Sequence, residues 1–236
     1  MKCQIILLAC LLVPGAVMGQ TRPAADASRP ALKYPDYTTP RRTVETFVWA
    51  VKSHNAKRIA ECLYGRTPLE KQVSTSFAMM TAAMTNMLRV ARAHLGRPPN
   101  QQPGLSASDR LNAMLTALPS ATLVMKAKHA TLTFKPTASA VKQGTLHFVK
   151  RGLNWKLDAR AMFHLKEPGL TPKIIRQRAS DERVFAHLLD GVTADVKAGK
   201  IKTWHQFSVD FETRILSETA KRQAEAQAKK KLGKSK

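Results

Sequence analysis

The sequence predicts an α+β fold in which helices pack on one face of a curved antiparallel sheet, with a helical C-terminal extension. Residues 121–159 are the only stretch with the residue types and the alternation of neighbouring β-strands. Amphipathic helical patterns precede this stretch, and further helical patterns follow residue 160. A sheet with one apolar face needs a cover, which the preceding helices can supply.

Four strands are predicted within residues 121–159. Residues 122–127 and 130–135 are rich in residues that favour strands, and the polar pair Lys128-His129 separates them as a turn. Gly144 opens a third strand, and Arg151-Gly152 forms the hairpin turn to a fourth.

The alternation in the last two strands predicts which side chains face the helices. The side chains predicted to face inward are Leu146, Phe148, Leu153, Trp155, Leu157 and Ala159. His147 and Asp158 then point outward, toward water. A general base on the covered side of the sheet would have to belong to the inward set, which contains neither residue.

Residues 1–19 have the pattern of a secretory signal peptide. Lys2 supplies the positive start, residues 5–13 form the apolar core, and small residues precede a cleavage site near Gln20. The pattern predicts export to a periplasmic or extracellular location. The alternative is a lipobox ending at Cys10, which would make that residue a lipid-anchored N-terminus.

The proline-rich residues 20–38 are interpreted as a flexible spacer before an α+β domain at residues 39–160. Thr39-Pro40 is a typical helix start, with Thr as the N-cap and Pro as the first helical residue. A short second helix is predicted from Ala56 to about Gly65.

The third predicted helix has the clearest boundaries. Thr67-Pro68-Leu69-Glu70 combines a capping box with Pro at the first helical position, and Gly96 ends the helix. Its apolar stripe includes four methionines, interpreted as core residues rather than copper(I) ligands: Met79, Met80, Met84 and Met87. Ser106-x-x-Asp109 is predicted to cap a fourth helix that Pro119 stops.

Residues 161–236 are predicted to form a helical extension with a basic tail. Residues 168–172 are interpreted as a break, and Ser180 as the cap of a helix that ends at Gly199. Thr203 opens a capping box for the last helix.

The net charge of +23 is the most unusual property of the composition. It is spread along the chain, with +14 in residues 20–159 and +8 in residues 160–236. Such a surface attracts polyanions, so the predicted partners are an anionic envelope polymer, a membrane surface or a protein. Specific nucleic-acid binding is not predicted, because aromatic residues are only 6% of the chain and no recognition motif is present. The sequence defines no oligomeric state.

The sequence contains no pattern that predicts a catalytic residue, a metal or a cofactor. Cys62 is the single cysteine outside the signal peptide, so no intrachain disulfide is expected. The histidines lack metal-ligand spacing, and phosphate-loop, HExxH and CxxC motifs are absent. Tyr64, His94 and Trp155 are the candidates for lining a ligand pocket.

Three segments carry a resemblance to a known superfamily. Residues 39–50 read Thr-Pro-x-x-x-Val-x-x-Phe-x-x-Ala, residues 121–134 end in an A-x-L-x-F strand, and residues 148–157 read FVKRGLNWKL. Together they resemble the nuclear-transport-factor-2-like superfamily of cone-shaped α+β domains, and more narrowly its exported bacterial members of unknown function. The resemblance covers about residues 39–160. For an enzyme, the resemblance implies a catalytic carboxylate or His inside the cone, with Tyr, Trp or Arg nearby.

No acid–base pair of that kind converges in the predicted cone. The sequence therefore predicts an exported, non-catalytic binding or interaction protein of the cell envelope, whose positive charge assists binding to an unknown ligand. The alternative is a small isomerase-, hydrolase- or dehydratase-like enzyme that uses a hydrophobic cone pocket.

Overall fold

The computed structural model describes residues 35–98, 107–135 and 144–232. The predictions for residues 1–34, and for Ser106 as a helix cap, lie outside these ranges. Within them the chain forms α1 (Pro40–Lys52), α2 (Ala56–Cys62), β1 (Leu63–Tyr64), α3 (Pro68–Leu95), α4 (Ala107–Ala117), β2 (Thr122–Lys126), β3 (His129–Phe134), β4 (Gly144–Arg151), β5 (Asn154–Asp158), α5 (Ala159–Met162), α6 (Pro172–Lys197) and α7 (Trp204–Leu232). The predicted α+β class is confirmed.

The described strands form one sheet in the order β1-β5-β4-β3-β2. β2 to β5 pair in antiparallel fashion as predicted, whereas the two-residue β1, which the sequence pattern does not indicate, runs parallel to β5. The turn between β2 and β3 lies at Ala127-Lys128 and not at the predicted Lys128-His129, because Lys126 pairs with His129. Ala127 adopts a positive φ of 48° to close this two-residue turn.

The prediction that Leu153 faces inward is wrong. Arg151 pairs with Asn154, so Gly152 and Leu153 are the two central residues of a hairpin turn, and the Leu153 side chain is 86% exposed. Gly152 has a φ of 59°, which glycine adopts at little cost. The turn interrupts the strand alternation, and the inward pattern begins only at Trp155.

The inner face of the sheet packs on α1. Thr43 of α1 is fully buried, and its hydroxyl donates a hydrogen bond of 2.9 Å to the carbonyl of Trp155 in β5. The start of α1 is as predicted, because the Thr39 side chain accepts a hydrogen bond from the Arg42 N–H and Pro40 is the first helical residue. These contacts fix α1 across the last strand.

α3 is buried on two sides because it lies between other helices. α1 and α2 contact it on one side, and α6 packs along it on another. Besides the predicted apolar stripe, α3 therefore buries small and polar side chains that allow close packing: Ser74, Ser76, Ala78, Thr81, Ala82 and Ala83. The core residues of α6 belong to the same hydrophobic cluster as those of α3 and the sheet.

The N-terminus of α3 differs in detail from the predicted capping box. The Thr67 hydroxyl accepts the Glu70 N–H at 3.2 Å as expected. The Glu70 carboxylate, however, accepts the N–H of Arg66 at 2.6 Å and the side chain of Arg160 at 2.7 and 2.8 Å. Glu70 thus joins the segment after β5 to the start of α3.

The predicted start of the helix at Ser180 is wrong. The N-cap of α6 is Thr171, nine residues earlier, where the Thr171 hydroxyl accepts the Ile174 N–H at 3.3 Å and Pro172 occupies the first helical position. Ser180 is an exposed residue in the middle of this helix. Residues 168–172 contain both the predicted break and a third Thr-Pro helix start.

α7 packs against α6. Arg214 of α7 pairs with Asp195 of α6, Arg222 pairs with Asp181 nearer the start of α6, and Phe211 contacts Phe185 at 5.9 Å between ring centroids. The predicted helical extension is confirmed, and it continues to Leu232.

Candidate functional site

The three predicted pocket residues lie in three different places. Trp155 is 2% exposed beneath α1. Tyr64 is half-buried on the outer face of the sheet, where the Arg151 guanidinium lies 4.1 Å from its ring centroid. His94 is exposed near the end of α3. The structure does not bring these residues together.

The inner face of the sheet is filled with apolar side chains. Five inward-facing residues are each 4% exposed or less: Leu132, Phe134, Phe148, Trp155 and Leu157. These side chains present almost no surface to solvent. A ligand in a cone pocket against this part of the sheet would have to displace them.

An open groove of about 450 Å³ lies on the outer side of the sheet instead. It is lined by His147, Asp158, Arg160, Ala161, His164, Lys166, Glu167 and Pro168. The predicted outward direction of His147 and Asp158 agrees with this position. The sequence does not predict the concavity itself, because the segment after β5 forms its second wall and carries no local signal of that placement.

The carboxylates of the groove already have partners. One oxygen of Asp158 accepts the Arg160 N–H at 3.0 Å, and the other lies 3.9 Å from the Arg66 guanidinium. Glu167 lies 3.2 Å from Nδ1 of His164. Extension of the strand register places His147 opposite Asp158, yet neither a hydrogen bond nor an ion pair joins these two described side chains. His147 and Asp158 are therefore not assembled as a dyad, and the close acid–base pair among the lining residues, His164 and Glu167, is exposed to solvent.

Arg160, which lines the outer groove, is paired with Glu70. Burial alone would raise the pKa of Glu70, but the Arg160 side chain and the Arg66 N–H outweigh burial and hold that pKa below its usual range. Glu70 is therefore ionised at neutral pH, and it keeps Arg160 in place beside the groove.

A second group of titratable residues lies at the edge of β5. The Lys156 ammonium lies 4.4 Å from the ring centroid of Tyr37 and donates a hydrogen bond to the Glu61 carbonyl. Burial raises the pKa of the Cys62 thiol to about 12 and also raises the pKa of the Tyr37 hydroxyl, whereas it lowers the pKa of Lys156. A buried thiol with such a high pKa is protonated and unreactive at neutral pH.

The chain carries charge of one sign over a long stretch that contains most of the sheet residues. Residues 110–157 contain eight Lys or Arg residues and no Asp or Glu. Four exposed cations lie where the β2–β3 and β4–β5 turns meet, and we call them the basic hairpin end: Lys126, Lys128, Lys150 and Arg151. Their ammonium and guanidinium groups form no ion pair with a carboxylate in the part of the chain that the structure describes. This surface is the strongest candidate for a binding site.

The chain has no match among family models, curated proteins or solved structures. The resemblance to the nuclear-transport-factor-2-like superfamily therefore stays a prediction. In residues 35–98, 107–135 and 144–232, no three His, Cys, Asp or Glu side chains are grouped as a metal site. None of the helices described here combines the length and the hydropathy of a membrane span.

Proposed function

We propose that this protein is an exported, non-catalytic protein that binds a polyanion of the cell envelope through the basic hairpin end. The observation that carries this proposal is the basic hairpin end within the acid-free stretch at residues 110–157. Its four cations are exposed and form no ion pair with a carboxylate among the described residues. Cations that are not neutralised locally create a positive potential that attracts polyanions and accelerates their association.

The sequence pattern of residues 1–19 supports export, since it has the parts of a signal peptide in the expected order. Mass spectrometry of the mature protein tests this part of the proposal. A chain that starts near Gln20 supports secretion in soluble form, and a chain that starts at a diacylated Cys10 supports lipid anchoring.

The binding experiment compares the mature chain with two charge variants at ionic strengths from about 0.01 M to about 0.15 M. The ligands are polyphosphate and vesicles that contain phosphatidylglycerol. Screening should weaken binding steeply over this range, because the interacting charges are exposed to solvent. Binding that does not depend on salt, or no binding at low salt, would contradict the proposal.

The variants distinguish a defined surface from net charge alone. One variant changes Lys126, Lys128 and Lys150 to Ala, and the matched control changes three exposed lysines of α6 and the segment after it: Lys173, Lys197 and Lys202. Both variants remove the same charge. We expect the first to bind more than about tenfold more weakly than the control, since each basic residue contributes about 1 kcal/mol at an anionic surface. Equal losses would contradict the assignment to the basic hairpin end.

A second candidate function is acid–base catalysis in the outer groove. The observation that favours it is the placement of His147 opposite Asp158 in a concave site. This differs from the predicted alternative, which placed an isomerase-, hydrolase- or dehydratase-like reaction in a hydrophobic cone. Turnover of a test ester or hydroxy acid that is lost in His147→Ala would support catalysis, and no turnover by the wild-type chain would count against it.

A further inference from the structure

The two hairpin turns of the sheet lie at the same end, and one projects further than the other. The Lys150 N–H donates to the Lys128 carbonyl at 2.8 Å, which places the β2–β3 turn beside Lys150. The β4 strand continues through Arg151, and only then does the chain turn at Gly152 and Leu153. Leu153 is therefore at the tip of the more extended hairpin.

The exposure of Leu153 has no explanation within the fold. Its side chain is 86% exposed, the largest exposure among the large apolar side chains whose burial the structure describes. Polar residues and glycine dominate tight turns, and a leucine gains nothing from packing at such a position. Met125, beside Lys126 on the open edge strand, is also 56% exposed. Two apolar side chains thus lie among the cations of the basic hairpin end.

The neighbouring acids do not neutralise these cations. Glu61 pairs with Arg58 at 2.7 Å, and Asp36 is hydrogen-bonded to Thr38 and lies 3.8 Å from Arg42. Lys150 and Arg151 instead contact aromatic rings, those of Trp155 and Tyr64. Their positive charge remains available to an external anion.

We propose that the hairpin tip docks on an anionic lipid surface, with Leu153 inserted at the boundary between headgroups and acyl chains. The cations of the basic hairpin end then contact the anionic headgroups, while Met125 lies at the margin of the insertion. This inference rests on the proposed polyanion binding and names its partner. An apolar tip surrounded by basic residues is the pattern of proteins that bind the membrane interface. A soluble polyanion has the charge to bind the lysines but no apolar phase to receive Leu153.

The test compares Leu153→Ser with the matched control Leu216→Ser, which changes a leucine that is 69% exposed on α7. Both side chains are exposed, so both variants should keep the wild-type melting temperature. Binding is measured to vesicles of equal parts phosphatidylglycerol and phosphatidylcholine, to phosphatidylcholine vesicles, and to polyphosphate. We expect Leu153→Ser to weaken binding to the anionic vesicles by about tenfold, from the loss of one buried leucine, and to leave polyphosphate binding unchanged.

A second variant reports insertion directly. Leu153→Trp should gain fluorescence that acyl-chain-brominated lipids quench in anionic vesicles, relative to the signal of Trp49, Trp155 and Trp204 in the wild-type chain. Quenching in the anionic vesicles and none with phosphatidylcholine alone would support insertion. Unquenched fluorescence of the introduced tryptophan on bound vesicles would overturn it.

The remaining outcomes separate this inference from the proposed function. Equal vesicle binding by Leu153→Ser and Leu216→Ser, with polyphosphate still bound, overturns the lipid docking and leaves polyanion binding in place. Loss of polyphosphate binding in Leu153→Ser would also overturn the lipid assignment, because the effect would then not depend on an apolar phase. No binding of the wild-type chain to either anion at low salt overturns both proposals.

Discussion

Glu182 is a buried acid on α6 that is only partly compensated. It is 8% exposed, and Arg178 donates to one of its oxygens at 3.1 Å, while the other oxygen has no hydrogen-bond partner. Burial raises the pKa of Glu182, and the Arg178 charge offsets only part of that shift. The folded state therefore holds the proton of this carboxyl more tightly than the unfolded chain does.

We predict that Glu182→Gln removes a pH-dependent loss of stability. The contribution of Glu182 to the free energy of unfolding is complete below its ordinary pKa of 4.5 and is lost as pH rises through the raised pKa of the folded state. The stability of Glu182→Gln relative to wild type should therefore increase from pH 4.5 to neutral pH in urea titrations. The exposed Glu212→Gln serves as control, and parallel pH profiles for wild type and Glu182→Gln would contradict the prediction.

A second prediction for single residues concerns the residues with positive φ in the two hairpin turns. Gly152 and Ala127 both have positive φ, 59° and 48°, but only Ala127 already incurs the left-handed penalty of a residue with a Cβ atom. We expect Gly152→Ala to lower the free energy of unfolding by about 1 kcal/mol. Ala127→Gly should stay within about 0.5 kcal/mol of wild type, because the relief of strain offsets the entropy of glycine. Equal effects in thermal melts would contradict this account.

The start of α6 depends on its N-cap residue, Thr171. Thr171 satisfies an N–H group of the first turn, which otherwise has no intrahelical partner. We predict that Thr171→Ala lowers the free energy of unfolding by about 1 kcal/mol. Ser180→Ala, at the position where the sequence pattern places the cap, should change it by less than about 0.5 kcal/mol. Urea denaturation distinguishes them, and the reverse order would mean that the helix begins near Ser180.

The helices and strands show which signals the sequence carries. Thr39-Pro40 and Thr67-Pro68 correctly predict the first residue of α1 and of α3. This is possible because N-cap and first-turn interactions involve only neighbouring residues. The same signal at Thr171-Pro172 is obscured, because the adjacent Pro168-Gly169 favours a loop. β1 could not be predicted from its two residues, since its pairing with β5 depends on contacts far along the chain.

Of the two candidate sites, the sequence indicates the basic hairpin end but not the outer groove. The unpaired charge of the basic hairpin end follows from an acid-free run that is visible in the sequence. The outer groove does not, because β4, β5 and residues 160–168 meet only in three dimensions. The exposure of Leu153 agrees with the turn that Arg151-Gly152 indicates and conflicts with a strand alternation extended across that turn.

At the scale of the whole molecule, the net charge of +23 acts on stability as well as on binding. Like charges repel one another in the compact state, and salt screens that repulsion. We predict that the melting temperature rises as ionic strength increases from about 0.01 M to about 0.15 M. The variant lacking Lys173, Lys197 and Lys202 should show a smaller rise. A melting temperature that falls with salt would mean that the ion pairs of α6 and α7 outweigh the repulsion.

The two sides of the sheet differ in how far their backbone groups are paired. On one side, β1 and the Tyr37 carbonyl, which accepts the Trp155 N–H at 2.7 Å, cover the edge of β5. On the other side, β2 has no neighbouring strand among the described residues. The opposite edge strand, β1, is only two residues long and offers few backbone groups to a further strand. Two sheets joined at β2 therefore have no second long edge left. Association through β2 would therefore be self-limiting, ending at a pair of molecules and not a growing fibre.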